Sequence, residues 1–392
     1  MFSACKVTHF YSIRAQKRRY FLIFTIFIVN NDKNTAGIRN FAKEMENKQR
    51  IIFIVNPISG TSKKEEVPEL ISKHLDLERF EHKVCFTEYS GHAAEIARQS
   101  AAEGIDIVVA VGGDGTINEV ARSLVHTRTA LGIIPCGSGN GLARHLCIPI
   151  DAVKAIELIN LCQIESFDYG VINNQPFFCT CGMGFDAFIS LKFAEAGKRG
   201  PITYVENVLK EGLKYKPETY EIVDDKGTVY HKAFLIACAN ASQYGNNAYI
   251  APGATMRDGM MDVIIMEPFT ALDAPQIAAD LFMKTLQNNS KIKTFRAQSI
   301  HIHRKQPGAI HYDGDPIMTD NDIDVHIEHL GIRIITNPQA MEDTAQPNPV
   351  LNAFSDFFNN INNVREDIGR DIEKGGRRIQ AINKVLLRKL RS

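Results

Sequence analysis

The stretch VAVGGDGTINEV, residues 109–120, decides the fold of this chain. An apolar strand predicted at Ile107 to Val111 runs directly into the glycine turn GGDG, residues 112–115, and a helix is predicted from Asn118. A glycine turn between a strand and a helix N-terminus presents backbone amides to an anion. A carboxylate in that turn would repel a bare phosphate, so Asp114 indicates a divalent cation between them. The glycines alone leave open a tight turn with a solvated Asp114.

Two other predicted strands end in the same kind of turn. Ile51 to Val55 leads into NPISG at 56–60, and Leu131 to Ile134 leads into PCGSGN at 135–140. Strands and helices alternate between these points, which predicts a doubly wound parallel α/β sheet with ligands at the carboxyl ends of its strands. Because three strand ends share turn chemistry, a phosphate site is favoured over an isolated glycine loop. The elements predicted between the turns are a strand at 84–87 and helices at 93–102 and 118–125.

After about residue 165 the pattern changes to short strands with few helices between them. Tyr169 to Cys181 is predicted to form a hairpin with alternating faces. Such a run of strands predicts an antiparallel, sandwich-like second domain. The further strands are predicted at 219–223, 233–239, 261–266, 299–303 and 325–328, and the helices at 189–196, 204–213 and 271–283.

Composition narrows the class of protein. The 392 residues suffice for two domains, and 45 Lys and Arg residues balance 45 Asp and Glu residues. This balance gives no support to a nucleic-acid partner. Eight cysteines include no CxxC pair, and Cys179 and Cys181 suit one face of a strand better than zinc. Reduced thiols in a cytoplasmic protein are expected.

The first 44 residues combine a basic cluster with an apolar run. Three basic residues precede the apolar run Tyr20 to Val29, which is too short to span a bilayer as a helix. The pentapeptide IFIVN occurs at 26–30 and again at 52–56, and Met45 lies just before the second copy. An over-extended reading frame that starts before Met45 is favoured over an anchor.

The three turns carry a resemblance to a known family. NPISG, GGDGTINEV and PCGSGNGLA, in this order and spacing, resemble the catalytic domain of soluble diacylglycerol kinases and of sphingosine or ceramide kinases. The resemblance covers roughly residues 50 to 336 and extends to CGMGFDA at 181–187, RDGMMDV at 257–263 and DGDP at 313–316. It implies ATP- and Mg²⁺-dependent phosphoryl transfer to a hydroxyl of diacylglycerol, a sphingoid base or ceramide. The implied fold is a nucleotide-binding α/β domain and a β-rich lipid domain, with the site in the cleft between them.

The resemblance also implies which residues meet the nucleotide and metals. Asp114 would be linked to Mg²⁺ directly or through water. Thr255, Asp258 and Met260 match a loop that holds a structural Mg²⁺ in some members, although a plain Asp-Gly turn explains it equally well. The implied nucleotide-binding residues are Asn56, Pro57, Ser59, Gly60, Thr87, Gly112, Gly113, Asp114, Gly115, Thr116, Asn118, Glu119, Gly137, Ser138 and Asn140.

The catalytic base implied by the resemblance lies in DGDP. Bacterial diacylglycerol kinases have DGE there, so the matching carboxylate is Asp315, which is one methylene shorter. Asp114 is the second candidate base, and Asp313 shares the turn. A plain hairpin turn is the alternative for this segment. The sequence also departs from the bacterial pattern at Gly141, where Asp is frequent, and at Thr61, where Lys is frequent.

Two aspartates are implied on the substrate side. Asp186 matches the region that meets the lipid head group, and Asp168 matches an aspartate that supports the metal network. A turn residue at a strand end is the alternative for Asp168. His301 and His303 share one face of a strand, but without a third ligand a satisfied strand pair is favoured over a metal site.

The tail lies outside the resemblance. Apolar residues follow helical spacing from Leu351 onward, and Arg and Lys are frequent from Arg377 to Arg391. A basic amphipathic helix is attracted to anionic membrane surfaces, which predicts peripheral membrane association. Packing on the protein or on a partner is the alternative, and a homodimer is left open.

The chain is therefore divided into five parts. An NAD kinase-like enzyme and a catalytically inert lipid- or nucleotide-binding module remain as alternatives to the lipid kinase, the second because of Asp315 and Gly141. The parts are an N-terminal extension at 1–47, a nucleotide-binding α/β kinase domain at 48–165, a β-rich lipid-substrate domain at 166–316, returning strands at 317–340 and the basic helical tail at 341–392.

Overall fold

A computed structural model describes residues 48–57, 66–196, 215–224, 227–270 and 272–337. The predictions for the N-terminal extension, for the helix at 204–213 and for the basic tail lie outside these residues. The described residues of Arg50–Leu77 and from His82 onward belong to one compact unit, which holds the whole candidate site. The strand ends at 48–49 and 78–81 group separately. No helix within the described residues is both long and apolar enough to cross a bilayer.

The predicted α/β half of the chain forms one end of a mixed sheet. Strands β1, β3 and β4 pair in parallel, and β2 lies at the edge beside β1. All six residues of β3 are buried, because helices cover both faces of such a sheet, and this explains its uninterrupted apolar run. The elements are β1 (Gln49–Val55), α1 (Val67–His74), β2 (Phe80–Phe86), α2 (His92–Ala102), β3 (Ile107–Gly112), α3 (Asp114–Leu124), β4 (Ala130–Pro135), α4 (Gly141–His145) and α5 (Ala152–Leu161).

The same sheet continues into the second half of the chain. The last strand, β16 (Asp322–Ile335), pairs in parallel with β4 and antiparallel with β5 and β13. A register shift in β16 between Glu328 and Ile332 separates the two stretches that pair with β5. Strand β16 therefore belongs to both halves of the chain. The domain boundaries predicted at 165 and 316 stay predictions. The other strands of this part are β5 (Ile164–Ile172), β6 (Gln175–Phe177), β8 (Glu218–Asp224), β9 (Gly227–Ala233) and β13 (Ser299–Arg304).

A second, six-stranded sheet completes the sandwich and confirms the predicted fold class. Its order is β12-β11-β10-β7-β14-β15, and its described pairings are antiparallel. Apolar side chains of both sheets, including Phe177 and Met183, form one buried cluster. The remaining elements are β7 (Thr180–Gly184), α6 (Phe185–Ala196), β10 (Leu235–Ala239), β11 (Met261–Met266), α7 (Ala274–Met283), a 3₁₀ turn (Leu286–Asn288), β12 (Ile292–Ala297), β14 (Gly308–Tyr312) and β15 (Asp315–Thr319).

Several predicted elements have other bounds in the structure; for example, the helix predicted at 189–196 begins at Phe185, and the strand predicted at 325–328 runs over Asp322–Ile335. Helix α3 begins at Asp114 instead of Asn118, because the helix starts inside the glycine turn. Strand β2 runs over Phe80–Phe86 and so begins earlier than the predicted 84–87. The predicted hairpin at 169–181 is instead formed by β5 and β6, and the chain then enters the other sheet as β7.

Candidate functional site

The second and third glycine turns touch through their backbones. A Cβ atom added at Gly137 would lie 2.7 Å from the Cα atom of Gly113. The Cys136 N–H donates to the Gly112 carbonyl at 2.7 Å. Only residues without a side chain allow this approach, so glycine at these positions is required by packing of the two turns.

Asp114 joins the two turns by its side chain. Its Oδ2 accepts the N–H of Asn140 at 2.8 Å, and its Oδ1 accepts the N–H of Gly141 at 2.7 Å. Asn140 has a left-handed backbone with φ of 51°, and its own side chain bonds both the N–H and the carbonyl of Gly137. Each carboxylate oxygen of Asp114 keeps a further lone pair. Mg²⁺ in kinases is held by one or two carboxylates, waters and the phosphates, so this residue fits the predicted metal role.

Gly141 is explained by a close contact with the β-rich half. A Cβ atom there would lie 3.1 Å from the Tyr244 carbonyl oxygen. Arg144 spans the same junction, because its Nε donates to the Gly139 carbonyl at 3.0 Å and its Nη1 donates to Oδ1 of Asn247 at 3.4 Å. The small residue therefore allows the third turn to lie against the loop that contains Tyr244.

The first turn meets the second through Asn56. Its Nδ2 donates to Oγ1 of Thr116 at 3.0 Å, and its backbone N–H donates to the Val111 carbonyl at 3.1 Å. The loop after β2 is tied to the same helix, because Glu119 Oε1 accepts the Gly91 N–H at 3.1 Å. These contacts bring together Asn56, Gly112, Gly113, Asp114, Thr116, Glu119, Gly137 and Asn140, and the Thr87 N–H donates to the Val55 carbonyl at 2.9 Å. Pro57, Gly115, Asn118 and Ser138 lie on the same turns or on helix α3, while Ser59 and Gly60 lie outside the described residues.

Asp313 anchors the DGDP turn between β14 and β15. Its carboxylate accepts the backbone N–H groups of Phe178, Cys179 and Thr180 at 2.8, 2.8 and 3.1 Å. Burial raises the pKa of the Asp313 carboxyl group, against the opposing effects of Arg122 and these amides. Asp313 and Gly314 have φ values of 53° and 86°, which suits a two-residue hairpin turn. A catalytic role for Asp313 stays a prediction, and its contacts make it a structural anchor.

Asp315 is the accessible carboxylate of the turn. Its side chain is 52% exposed, compared with 3% for Asp313. Its Oδ2 accepts a hydrogen bond of 2.8 Å from Nη1 of Arg122, in the last turn of α3. No hydrogen bond to its Oδ1 is found within the described part of the chain. The second oxygen is therefore available to accept a proton from a substrate hydroxyl.

Asp186 lies at the start of α6, in contact with the DGDP hairpin. Its Oδ2 lies 3.0 Å from Nε2 of His311 and accepts a hydrogen bond of 3.4 Å from the Tyr244 hydroxyl. His311 is buried, and its Nδ1 lies 3.4 Å from the Gly314 N–H. These contacts link the predicted head-group residue to the DGDP turn and to the Tyr244 loop, which lies against the third turn.

Asp168 is fully buried and holds two loops. Its Oδ2 accepts the Gly259 N–H at 2.7 Å, and its Oδ1 accepts the Leu330 N–H at 2.8 Å. His329 Nδ1 lies 2.7 Å from the same Oδ1. The predicted contact with substrate stays a prediction, and these bonds give Asp168 a structural role in this conformation.

The loop with Thr255, Asp258 and Met260 does not fit a metal ion. Asp258 Oδ2 pairs with the guanidinium of Arg296, and its Oδ1 accepts the Met260 N–H at 3.1 Å. A cation beside the carboxylate disfavours a second cation at the same place. These contacts favour the plain Asp-Gly turn over a structural Mg²⁺ site.

His301 and His303 face carboxylates of the neighbouring strand. Nδ1 of His301 lies 2.8 Å from Asp324, and Nδ1 of His303 lies 2.7 Å from Asp322. These contacts agree with the interpretation of a satisfied strand pair.

Sequence reasoning missed three residues of the site, namely Arg122, Tyr244 and His311. Arg122 lies eight residues after Asp114, so helical periodicity would have placed it about two turns along the same helix. His311 lies two residues before Asp313, but nothing local pairs it with Asp186.

Comparison with known proteins identifies the family of this chain. The profile of the diacylglycerol kinase catalytic domain matches residues 50–172, and that of the YegS C-terminal NAD kinase beta sandwich-like domain matches residues 180–328. An uncharacterized protein of Synechocystis, sll0036, is 30% identical over 287 residues, which cover 68% of this chain and 66% of that protein. The diacylglycerol kinase of Bacillus subtilis strain 168 is 26% identical over 279 residues, or 68% of this chain and 90% of that protein.

A solved structure shows the same fold. The crystal structure of a diacylglycerol kinase from Bacillus anthracis matches 74% of this chain and 98% of its own, with a TM-score of 0.60 at 20% identity. The three glycine turns lie within the first matched domain, and the DGDP hairpin lies within the second. The chain belongs to the lipid kinase family that carries a diacylglycerol kinase catalytic domain, and it is a phosphotransferase of that family.

Proposed function

We propose that this protein transfers the γ-phosphoryl group of ATP, with Mg²⁺, to a hydroxyl of diacylglycerol, a sphingoid base or ceramide. One observation carries the proposal: helix α3 joins the glycine turns to the candidate base. Asp114 begins the helix between the glycine turns, and Arg122 in its last turn holds the candidate base Asp315. Eight residues of helix span about 12 Å.

The residues of this chain divide the work of phosphoryl transfer. Backbone amides of the glycine turns bind phosphate oxygens, and Asp114 would hold Mg²⁺, which neutralises charge on the phosphates. The lipid hydroxyl oxygen forms the new bond to the γ-phosphorus as the bond to ADP breaks. Asp315 accepts the hydroxyl proton through its unpaired Oδ1.

The test is a panel of acceptors. Purified protein is incubated with ATP, Mg²⁺ and, in separate reactions, diacylglycerol, sphingosine, ceramide or NAD. We expect a phosphorylated lipid and ADP in equal amounts. Formation of NADP with no lipid product would favour the NAD kinase-like alternative, and nucleotide binding without any product would favour the inert module.

We also propose that the protein works at a membrane surface from the cytoplasm, with the basic tail as its contact. The support is the sequence of residues 341–392 and the insolubility of the lipid substrate. Each basic residue near an anionic surface contributes about 1 kcal/mol, and salt weakens this attraction. Truncation after Asn348 should keep activity on detergent-dispersed lipid and lower it on anionic vesicles. Equal vesicle binding by both proteins at low and high salt would contradict this role.

A further inference from the structure

Arg122 of helix α3 contacts the DGDP hairpin at Tyr312, Asp313 and Asp315, and it contacts the neighbouring strand β6 at Pro176. Its side chain is 19% exposed, and its Nε donates to the Pro176 carbonyl at 3.1 Å. Its Nη1 donates to Asp315 Oδ2 at 2.8 Å, and its Nη2 donates to the Tyr312 carbonyl at 3.3 Å. The guanidinium carbon lies 4.5 Å from the centroid of the Tyr312 ring. Asp313 Oδ2 lies 4.0 Å from Nη2. The guanidinium group is therefore held by several contacts besides its hydrogen bond to Asp315.

We propose that Arg122 is a positioning residue, which orients the Asp315 carboxylate for proton transfer from the lipid hydroxyl. This inference rests on the proposed function. A guanidinium whose donors are occupied by two carbonyls and whose face lies on a ring has little freedom to rotate. Asp315 is half exposed and would otherwise sample several rotamers. The bond to Oδ2 selects one of them and leaves Oδ1 free for the substrate.

The position of Arg122 in the helix gives the contact a second consequence. Asp114 and Arg122 belong to one helix of eleven residues, and the helix lies against buried strands β3 and β4. A rigid helix keeps the distance between its first and its last turn constant. The nucleotide turn and the proton acceptor are thereby held at a fixed separation across the two halves of the chain, which favours a reactive geometry.

Arg304 provides a matched control at the open end of the same hairpin. It is buried, and its guanidinium donates to the carbonyls of Gly308, Ala309 and Thr319 at 2.6, 3.1 and 3.0 Å. Arg304 ties β14 to β15 through carbonyl oxygens, as Arg122 ties β14 to β6, but it has no contact with Asp315 within the described residues. If Arg122 only stabilised the fold, replacing Arg304 would therefore cause the same kinetic losses as replacing Arg122.

The test compares Arg122→Lys and Arg122→Gln with Arg304→Lys, using the full chain, ATP and the lipid that the wild-type protein accepts. Both Arg122 variants should lower kcat at least about tenfold, because a single misplaced group in a site costs that much or more. The KM for ATP should stay within about twofold, since the glycine turns are untouched. Arg304→Lys should lower the midpoint of thermal unfolding without this selective loss of kcat.

A double-mutant cycle separates positioning from general support. In an Asp315→Asn background, Arg122→Lys should cause no further loss of kcat, because the group that it orients is already absent. Full activity of Arg122→Lys, equal kinetic losses in Arg304→Lys, or an undiminished effect in the Asp315→Asn background would overturn the proposal. If the wild-type protein phosphorylates no lipid, the proposed function fails instead. A crystal structure of Arg122→Gln then decides the inference: the Asp315 carboxylate is expected to move, and an unchanged position contradicts it.

Discussion

Nε2 of His311 lies 3.0 Å from Oδ2 of Asp186, in a contact that is almost closed to solvent: the two side chains are 3% and 12% exposed. The contact depends on Gly182, because a Cβ atom there would lie 2.5 Å from the same Asp186 oxygen. A strand residue and a helix residue from distant parts of the chain are thus fixed together beside the DGDP turn.

His311→Asn should weaken the use of lipid more than that of ATP. The shorter side chain cannot reach Asp186, and a buried carboxylate that loses a donor costs about 1–3 kcal/mol, which corresponds to about 5- to 150-fold. We expect a higher KM for lipid and an unchanged KM for ATP. The control is His303→Asn, at a surface histidine that pairs with Asp322. An unchanged KM for lipid in His311→Asn would show that Asp186 needs no partner.

Asp114→Asn should lower kcat by at least about a hundredfold, because an electrostatic contact in a site closed to water contributes several kcal/mol. The amide has one acceptor oxygen, so it also loses one of the bonds to Asn140 and Gly141. Steady-state kinetics and the thermal shift caused by ATP measure the two effects. Asp151→Asn is the control, since Asp151 likewise accepts a helix N-terminal amide, that of Lys154, but lies outside the site. Near-normal turnover of Asp114→Asn would reduce GGDG to a structural turn.

Gly137→Ala should prevent the second and third turns from meeting. Its Cβ atom would lie 2.7 Å from the backbone of Gly113, and a backbone atom cannot move aside as a side chain can. We expect a large loss of ATP binding by calorimetry. Gly253→Ala adds the same methyl group where no atom lies within 4 Å, so it should bind ATP normally. Equal ATP affinity in the two variants would contradict the packing of these turns as the basis of the site.

Asp315→Asn should lower kcat by about 10²- to 10⁴-fold to a residual rate and leave ATP affinity nearly intact, because the amide cannot accept the proton. Asp315→Glu should keep or raise activity, since a carboxylate remains and its reach increases. Asp313→Asn should instead lower the thermal stability, because Asp313 accepts three backbone N–H groups. An active Asp315→Asn together with a folded but inactive Asp313→Asn would reassign the base.

The free energy of unfolding should fall in mild acid because of His145. Burial lowers the pKa of His145 from 6.5 to about 4, and its Nδ1 accepts the Ser242 N–H at 3.2 Å. The unfolded chain binds a proton at pH values where the folded protein does not, so this stability is present above pH 6.5 and lost as the pH falls towards 4. At 1.36 kcal/mol per pKa unit, the loss is at most about 3 kcal/mol.

Urea unfolding at about pH 7.5 and about pH 5 measures this effect, and His145→Gln should show a smaller loss than the wild-type protein. His301→Gln is a control of opposite sign. Asp324 raises the pKa of His301, so this pair stabilises the fold at low pH and the effect is lost as the pH rises. The idea fails if wild type and His145→Gln lose equal stability in acid.

The regular elements could be predicted where the sequence pattern is local. Met261–Met266 was predicted with its observed bounds, because its apolar run is short and bounded by turns. The start of α3 was placed at Asn118 because glycines argue against helix, whereas the helix begins at Asp114. The strand predicted at 84–87 begins at Phe80 in the structure, and the polar residues Glu81 and Lys83 of β2 are exposed. The length of β2 is set by its pairing at the edge of the sheet and not by the strand propensity of its residues.

The site could be predicted only in part. Turn chemistry pointed to Asp114 and Asn140, since glycine-rich strand ends are local signals. The bonds of Arg122 to Asp315 and of His311 to Asp186 join residues far apart in the chain, and no periodicity encodes them. The pairing of Asp258 with Arg296, which comes from another strand, is equally absent from the local pattern.

The last strand has a consequence for how the protein is made. Ile334 of β16 pairs with Leu131 of β4, and Leu131 is synthesised about 200 residues earlier than Ile334. Until β16 emerges, β4 and β5 present unpaired strand edges, which are sites of aggregation. Pairings over such long separations also slow folding. A nascent chain of this protein therefore depends on late residues to close its first sheet, and fragments that stop at the end of the catalytic domain should aggregate during expression.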